Sequence, residues 1–333
     1  MQILEVLKKR AIAIGGRIVL PEAYDKRILK AASELSAKSI AKVVLLGEEI
    51  KILADAKTMN LDLTACDIIN PRHSPDLEAF AAILYEKRQE KGLNRKDALA
   101  TMQNPLYYGA MMVKQGQAKG MVAGAANTTA DVLRAALHVV GVMPNLQTVS
   151  STFIMVSPLE ADPTYLFADC AVVPNPTAEQ LADIASSTAQ TRRLILEDEP
   201  YVALLSFSTK GSAEHELVEK VQSAKNILDS RRVDFAYDGE LQLDAAIVKK
   251  IAHRKAPDSN VAGRANTLIF PDLQSGNIGY KLVQHLGGYE AIGPILQGLA
   301  APICDLSRGC STEDIVNTVI LVLLMSKNKN IGG

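Results

Sequence analysis

Tryptophan is absent from this 333-residue chain, and aromatic residues make up only 5% of it, against 48% apolar residues overall. A core must therefore come from Ala, Val, Leu and Ile, which suits helices packed on parallel strands. An excess of one charge is missing too: 36 Lys and Arg face 37 Asp and Glu, with no run of five like charges. No broad field then favours nucleic acid or an anionic membrane, and any bound anion must be met by individually placed cations. The longest apolar run, Val319 to Met325, is far short of the ~20 residues that a bilayer-crossing helix needs. The opening "MQILEVLKKRAIA" interrupts its apolar residues with Glu5 and with Lys8 to Arg10, so no secretory signal is expected. Four cysteines, Cys66, Cys170, Cys304 and Cys310, are scattered without a CxxC, which argues against a disulfide framework and a zinc site. A soluble protein of the cytoplasm is the expectation.

Familiar catalytic signatures are also lacking. There is no GxGxxG after the first strand, no GxxxxGK[ST], no HExxH and no GxSxG, which removes the usual marks of nucleotide, zinc and serine hydrolase chemistry. The five histidines, His73, His138, His215, His253 and His285, form no local pairing motif.

What is present is alternation. At 333 residues the chain has the length of two domains of ~150 residues each. Short apolar runs such as "RIVLPE", "KVVLLG" and "GMVAGA" alternate with helical stretches such as "KRILKAASELSAK", "DLEAFAAILYEKRQEKGL" and "NTTADVLRAALHVV". This punctuation predicts an α/β fold with a doubly wound sheet. A Pro and Asn turn before "LQTVSSTFIMVS" opens a second series and places a boundary near residue 147. That series holds an expected hairpin in "TFIMVSPLEADPTYLFADCAV", the strands "VALLSFS" and "TLIFPD", and intervening helices; the tail from Pro294 supplies one more strand and one helix.

Three strand-to-helix junctions have the makings of anion sites, because the N–H groups and dipole of a helix start favour negative charge. "GAANTT", Gly124 to Thr129, offers small residues and two hydroxyls, with Arg134 farther into the helix; its plainer reading is a Thr-capped helix with a solvated arginine. "SGNIGYK", Ser275 to Lys281, offers two glycines, Asn277 as cap or ligand, and Lys281 in the first turns of the next helix; the plainer reading is a Gly-rich turn. The third is "CDLSRGCSTED", Cys304 to Asp314. Ser311 and Asp314 fit a capping box, whereas Ser307 and Arg308 stand where a strand ends, the place at which open α/β sheets bind ligands. Arginine grips phosphate bidentately, and a serine hydroxyl both donates and accepts. Cys310 reads as a small buried residue rather than a nucleophile.

Together, "GNIGYKLVQHL", "EAIGPILQGLAAPICDLSRGCSTED" and "NPLYYGAMMVKQGQAKGMVAGAANTTADVLRAAL" resemble the phosphate acetyltransferase (phosphotransacetylase) family within the phosphate acetyl/butyryltransferases, over nearly the whole chain. The "GNIGYK" sequence favours acetyl over butyryl, the alternative. The resemblance implies reversible acetyl transfer between acetyl phosphate and coenzyme A, giving acetyl-CoA and inorganic phosphate. It implies two α/β/α domains with an active-site cleft between them, like isocitrate and isopropylmalate dehydrogenases: residues 1–147 plus 294–333, and 148–293. It implies a homodimer, no tightly bound cofactor with coenzyme A as a substrate, no metal, and neither nucleic acid nor membrane as partner.

By the same resemblance Ser307, Arg308 and Asp314 are the catalytic set. The resemblance also gives Arg88 in "RQEKG" and Arg134 in "DVLRA" to coenzyme A, although Ala135 stands where the family has proline, and in the mechanism that follows, Thr128, Thr129, Asn277 and Lys281 at the two helix-start junctions would complete the pocket for the acyl phosphate or phosphate. A thiol near pKa ~8.5 needs a base, and Asp314 competes for that role with helix capping. Two rivals remain. A decarboxylating dehydrogenase needs clustered aspartates for a divalent ion, which the sequence lacks. A non-catalytic coenzyme A-binding domain would not need Ser307, Arg308 and Asp314. The helix "IVNTVILVLLM" is apolar enough to be core or a contact between copies.

Overall fold

The computed structural model describes residues 2–159 and 163–327. The chain divides into two compact units, Met1–Met143 with Leu299–Gly333, and Pro144–Gly298.

The first unit runs α1 (Gln2–Ile14), β1 (Arg17–Leu20), α2 (Lys26–Ala37), β2 (Lys42–Leu46), α3 (Glu49–Thr58), β3 (Asp67–Ile69), α4 (Leu77–Arg88), α5 (Arg95–Met102), α6 (Pro105–Lys114), β4 (Gly120–Ala123) and α7 (Thr129–Val139). The second contains β5 (Ser150–Val156), β6 (Tyr165–Ala168), α8 (Ala178–Leu196), β7 (Tyr201–Leu205), α9 (Glu216–Arg231), β8 (Ala236–Leu241), α10 (Leu243–Ile247), α11 (Lys249–Lys255), β9 (Thr267–Ile269), α12 (Leu273–His285) and β10 (Glu290–Gln297). The chain then supplies β11 (Ile303–Asp305) and α13 (Thr312–Met325) to the first unit. The tail from Pro294 therefore holds the end of β10 as well as β11, and residues 295–297 pair in the second sheet, with β5.

The first sheet is parallel, in the order β11-β4-β1-β2-β3. Successive strands β1, β2 and β3 build outward on one side, and β4 returns to the other side of β1. The gap between β1 and β4 is thus the topological switch point, the usual ligand crevice of such sheets. Strands β1 and β4 are buried along almost their whole length, which the continuous apolar runs anticipate. Helix α2 shows how sequence sets the packing. Asp25 caps it, and Ile28, Leu29, Ala31, Ala32 and Leu35 recur at helical spacing on one buried face. Each fully buried Leu or Ile there contributes ~1.5–3 kcal/mol. Helix α13 is buried from Ile315 to Leu324 except at Asn317, and packs on α1, α2 and β4, so its apolar run is the core of this unit.

In the second sheet, β10-β5-β6-β9-β7-β8, the hairpin partners β5 and β6 are antiparallel, as is β10 to β5, while β6, β9, β7 and β8 are parallel. Alternate residues face opposite layers. Val202, Leu204 and Ile269 meet Leu181 and Ile184 of α8 and Val221 and Leu228 of α9. Leu205 and Leu268 join Phe153, Phe167 and Phe270, with Tyr280 of α12 stacked on Phe153 at 4.3 Å between centroids.

Candidate active site

Because β1, β4 and β11 are adjacent and parallel, the loops that follow them, residues 21–25, 124–128 and 306–311, share one edge of the first sheet. The first of these loops carries Glu22, which is only 1% exposed. Its Oε2 accepts the N–H groups of Gly124 (2.9 Å) and Ala125 (2.8 Å). Its Oε1 accepts those of Ala126 (3.1 Å) and Asn127 (2.7 Å), and the Asn127 amide at 2.7 Å. The "GAANTT" turn is therefore an anion nest, but the anion is the chain's own carboxylate, and these N–H groups are not open to a substrate phosphate. Gly124 is required here: at φ +107°, a Cβ would stand 2.3 Å from Asp305 Oδ1 and 2.7 Å from the Leu306 nitrogen.

Ser307 and Arg308 follow β11 and are exposed. The turn is closed by the Cys310 N–H donating to the Ser307 carbonyl at 2.9 Å, and Gly309 N–H donates to Ser307 Oγ at 3.2 Å. The guanidinium of Arg308 makes no hydrogen bond or ion pair among the described residues, so a single cation stands free on a fixed turn. Its carbonyl instead accepts from Arg27 Nη1 at 2.7 Å. Cys310 is buried, and burial pushes its thiol up, which agrees with a packing role.

Asp314 completes the capping box. Its Oδ2 accepts from the Ser311 N–H (2.8 Å) and hydroxyl (2.9 Å), and its own N–H donates to Ser311 Oγ at 3.1 Å. Oδ1 has no partner among the described residues.

Thr128 is the N-cap of α7, accepting from the Asp131 N–H at 3.2 Å and donating to Asp131 Oδ2 at 2.7 Å. Thr129 donates to Asp305 Oδ2 at 2.5 Å. Both hydroxyl protons are thus engaged within the chain. Asp305 is itself buried, 3% exposed, and its Oδ1 has no hydrogen-bond partner among the described residues. Burial pushes its carboxyl up to about 6; the Thr129 bond opposes that and the charge of Glu22 adds to it. A carboxyl raised above its ordinary 3.8 binds its proton more tightly folded than unfolded. Its stabilising contribution is complete below 3.8 and is lost as pH rises through about 6. Asp305→Asn should therefore gain about 2 kcal/mol relative to the natural chain in parallel urea titrations at about pH 4.5 and about pH 7.5. A constant difference between the two pH values would show that Asp305 titrates as an ordinary carboxyl.

Arg88 ends α4, and Arg134, on α7, pairs with Asp131 at 2.8 Å. Both cations bear on the same two side chains: burial and then the charges of Arg88 and Arg134 push His138 down, and both arginines pull against the rise that burial causes in Tyr107. Tyr107 and His138 are 3.1 Å apart, Oη to Nδ1. Arg88 and Arg134 thus stand on helices that pack on each other and on α6, and both act on the Tyr107 and His138 pair.

In the second unit, "SGNIGYK" is not a junction. Asp272 caps α12, accepting from Ser275 N–H at 2.8 Å, and the whole motif lies inside the helix. Asn277 neither caps nor stands at the first turn; its amide donates to the Cys170 carbonyl at 3.1 Å. Lys281 lies more than two turns into α12, exposed, with its Nζ 5.8 Å from the Tyr280 ring centre and no carboxylate partner among the described residues. Gly276 is present for contact rather than for turning, since a Cβ would come within 2.1 Å of the Asp169 carbonyl. Two further turns repeat the device seen at Glu22. Buried Asp169 accepts the N–H groups of Ala171, Val172 and Val173, and buried Glu240 accepts from Gly211 N–H, Ser208 and Gln222. Burial works against the Glu240 charge, yet these bonds hold its carboxyl below the usual range.

Sequence reasoning missed Glu22, Arg27 and Asp305. One signal was available for Glu22 and Asp305: each is an acid within two residues of a strand's C-terminal end.

The sequence matches the family described as Phosphate acetyl/butaryl transferase over residues 2–323. It is 50% identical to the phosphate acetyltransferase of Thermoanaerobacterium thermosaccharolyticum, over 96% of this chain and 98% of that one. A phosphotransacetylase structure from Streptococcus pyogenes covers 98% of both chains at 41% identity with a TM-score of 0.93. A putative 4-hydroxythreonine-4-phosphate dehydrogenase from Salmonella typhimurium, at 10% identity and TM-score 0.56 over 93% of this chain and 99% of that one, shares the fold alone, which bears out the dehydrogenase-like architecture. The chain belongs to the phosphate acetyl/butaryl transferase family.

Proposed function

We infer that this chain is a phosphate acetyltransferase, interconverting acetyl phosphate and coenzyme A with acetyl-CoA and inorganic phosphate. The observation that carries the reading is the free guanidinium of Arg308, held beside Ser307 on a closed turn, in a chain whose near full-length relative bears that activity's name. The thiol sulfur of coenzyme A attacks the acetyl carbonyl carbon, the bond from that carbon to the phosphate oxygen breaks, and the phosphate leaves with its electron pair. The thiol proton passes to Asp314, whose Oδ1 is the oxygen not engaged by Ser311. Arg308 stabilises the carbonyl oxyanion and grips the leaving phosphate, and Ser307 hydrogen-bonds the developing charge without being acylated.

Thr128 and Thr129 are assigned to the acyl phosphate by shape, since their hydroxyl protons are already engaged by Asp131 and Asp305 and the phosphate itself offers only acceptors. Asn277 and Lys281 are assigned to the same ligand class, Lys281 by its exposed and unneutralised charge. Arg88 and Arg134 are assigned to the phosphates of coenzyme A. Coenzyme A is a substrate here, and the scheme needs no tightly bound cofactor and no metal. A homodimer working in the cytoplasm is part of the reading. The exposed apolar residues Ile278 and Leu282 of α12 and Leu286 beyond it support a contact with a second copy, and among the described residues no helix is long and apolar enough to cross a membrane.

The test is phosphate-dependent loss of acetyl-CoA, run beside propionyl-CoA and butyryl-CoA. Acetyl-CoA should be consumed fastest, and the chain incubated with labelled acetyl phosphate alone should carry no label. Preference for butyryl-CoA or a trapped acyl-enzyme would each contradict the scheme.

A further inference from the structure

Beyond the residues already assigned, we propose that Arg27 is a positioning residue for acetyl transfer, setting the backbone from which Ser307 and Arg308 act; the inference rests on the functional reading above. Arg27 lies in the first turn of α2, behind the capping residue Asp25. Its Nη1 donates to the carbonyls of Arg308 (2.7 Å) and Cys310 (2.9 Å). Its Nη2 donates to the Ala125 carbonyl (2.6 Å) and to Asp25 Oδ2 (2.7 Å), and its Nε donates to Asp25 Oδ1 (3.1 Å). One planar cation thus joins the loops that follow β1, β4 and β11.

A guanidinium has five N–H groups, and these five bonds engage all of them, so Arg27 has no donor left for a substrate phosphate. This separates it from Arg308, whose guanidinium has no partner among the described residues and whose carbonyl is held. The two carbonyls on Nη1 flank Gly309, and together with the Cys310 to Ser307 bond they fix the turn on both sides of Arg308. Asp25 orients the fork: it takes two of the five donors bidentately and also accepts the Arg27 backbone N–H at 2.8 Å. A cation is unfavourable at a helix N-terminus, and Asp25 with three inward carbonyls offsets that cost. Lysine cannot reproduce the arrangement, because a single ammonium has three donors and no fork.

The experiment compares Arg27→Ala and Arg27→Lys with the natural chain, measuring kcat and KM for acetyl phosphate and for coenzyme A, with Arg27→Ala also assayed with added free guanidinium below its unfolding onset. The expected result is a kcat about a hundredfold lower in Arg27→Ala, the loss that an ångström of misplacement causes, with both KM values within about twofold. Arg27→Lys should lie between, and guanidinium should restore part of the lost kcat. A higher KM at full kcat would make Arg27 a substrate contact and overturn the inference, as would variants that turn over like the natural chain. Should Arg27→Ala fail to fold, the same split in Arg27→Lys decides. A natural chain without phosphate-dependent turnover would overturn the functional reading and the inference with it, whereas an active natural chain matched by its variants overturns the inference alone.

Discussion

Arg308→Ala is expected to lower kcat for phosphate-dependent acetyl transfer at least about a hundredfold, equivalent to ~2.7 kcal/mol of transition-state stabilisation, with no measurable change in thermal unfolding. The separation of the two effects follows from geometry. The guanidinium is exposed and has no partner among the described residues, so its removal leaves no orphaned group and no cavity. The part of Arg308 that the fold does use is its carbonyl, which receives Arg27, and alanine retains it. Arg308→Lys should recover little of the rate. An ammonium keeps the charge but loses the planar pair of donors that matches a phosphate edge. Turnover of the alanine variant within a few-fold of the natural chain would remove Arg308 from the chemistry.

What the sequence reveals and what it conceals divide by distance along the chain. The capping box of Ser311 and Asp314 is readable because both partners fall within one turn, and the structure forms it as the spacing requires. Strands β1 and β4 are readable because burial on both faces leaves an unbroken apolar run. Strand β8 is not, because "AYDGEL" carries Asp238 and Glu240, two buried carboxylates that bind Lys210 in the first case and Ser208, Gly211 and Gln222 in the second, all outside the strand, and that hide its periodicity. The start of α12 was misplaced for a related reason. Gly276 and Gly279 look like turn residues, but close approach to the Asp169 carbonyl and the Phe270 ring explains them, and the cap is Asp272. Glu22 and Arg27 were invisible because, Asp25 apart, the groups that they bind lie from 98 to 283 residues away. No local pattern announces that an acid after one strand will fill the nest after another. A sequence reader can find an anion site at a helix start, but whether the anion is a substrate or a side chain is decided by tertiary structure.

Glu22→Gln puts that last point to a quantitative test and is expected to destabilise the first unit by about 4 kcal/mol, read from the midpoint of urea unfolding. Five N–H groups converge on this carboxylate, four from the backbone of residues 124–127 and one from Asn127. The amide keeps one oxygen and replaces the other with an NH2 group. Two or more backbone donors then face a donor instead of an acceptor in a site that is 1% open to water. Each orphaned donor costs ~1–3 kcal/mol, and the charge-assisted bonds that remain weaken when the charge is removed. Asp at this position would be one methylene too short to span both pairs of N–H groups. The loss must also reach the chemistry, because the Ala125 carbonyl of the same loop is one of the groups that Arg27 holds. Below its unfolding temperature Glu22→Gln should therefore lose kcat with little change in KM, the signature expected of Arg27 variants. A midpoint shift worth less than about 1 kcal/mol would mean that water or another donor arrangement satisfies the nest, and that the carboxylate is not what closes it.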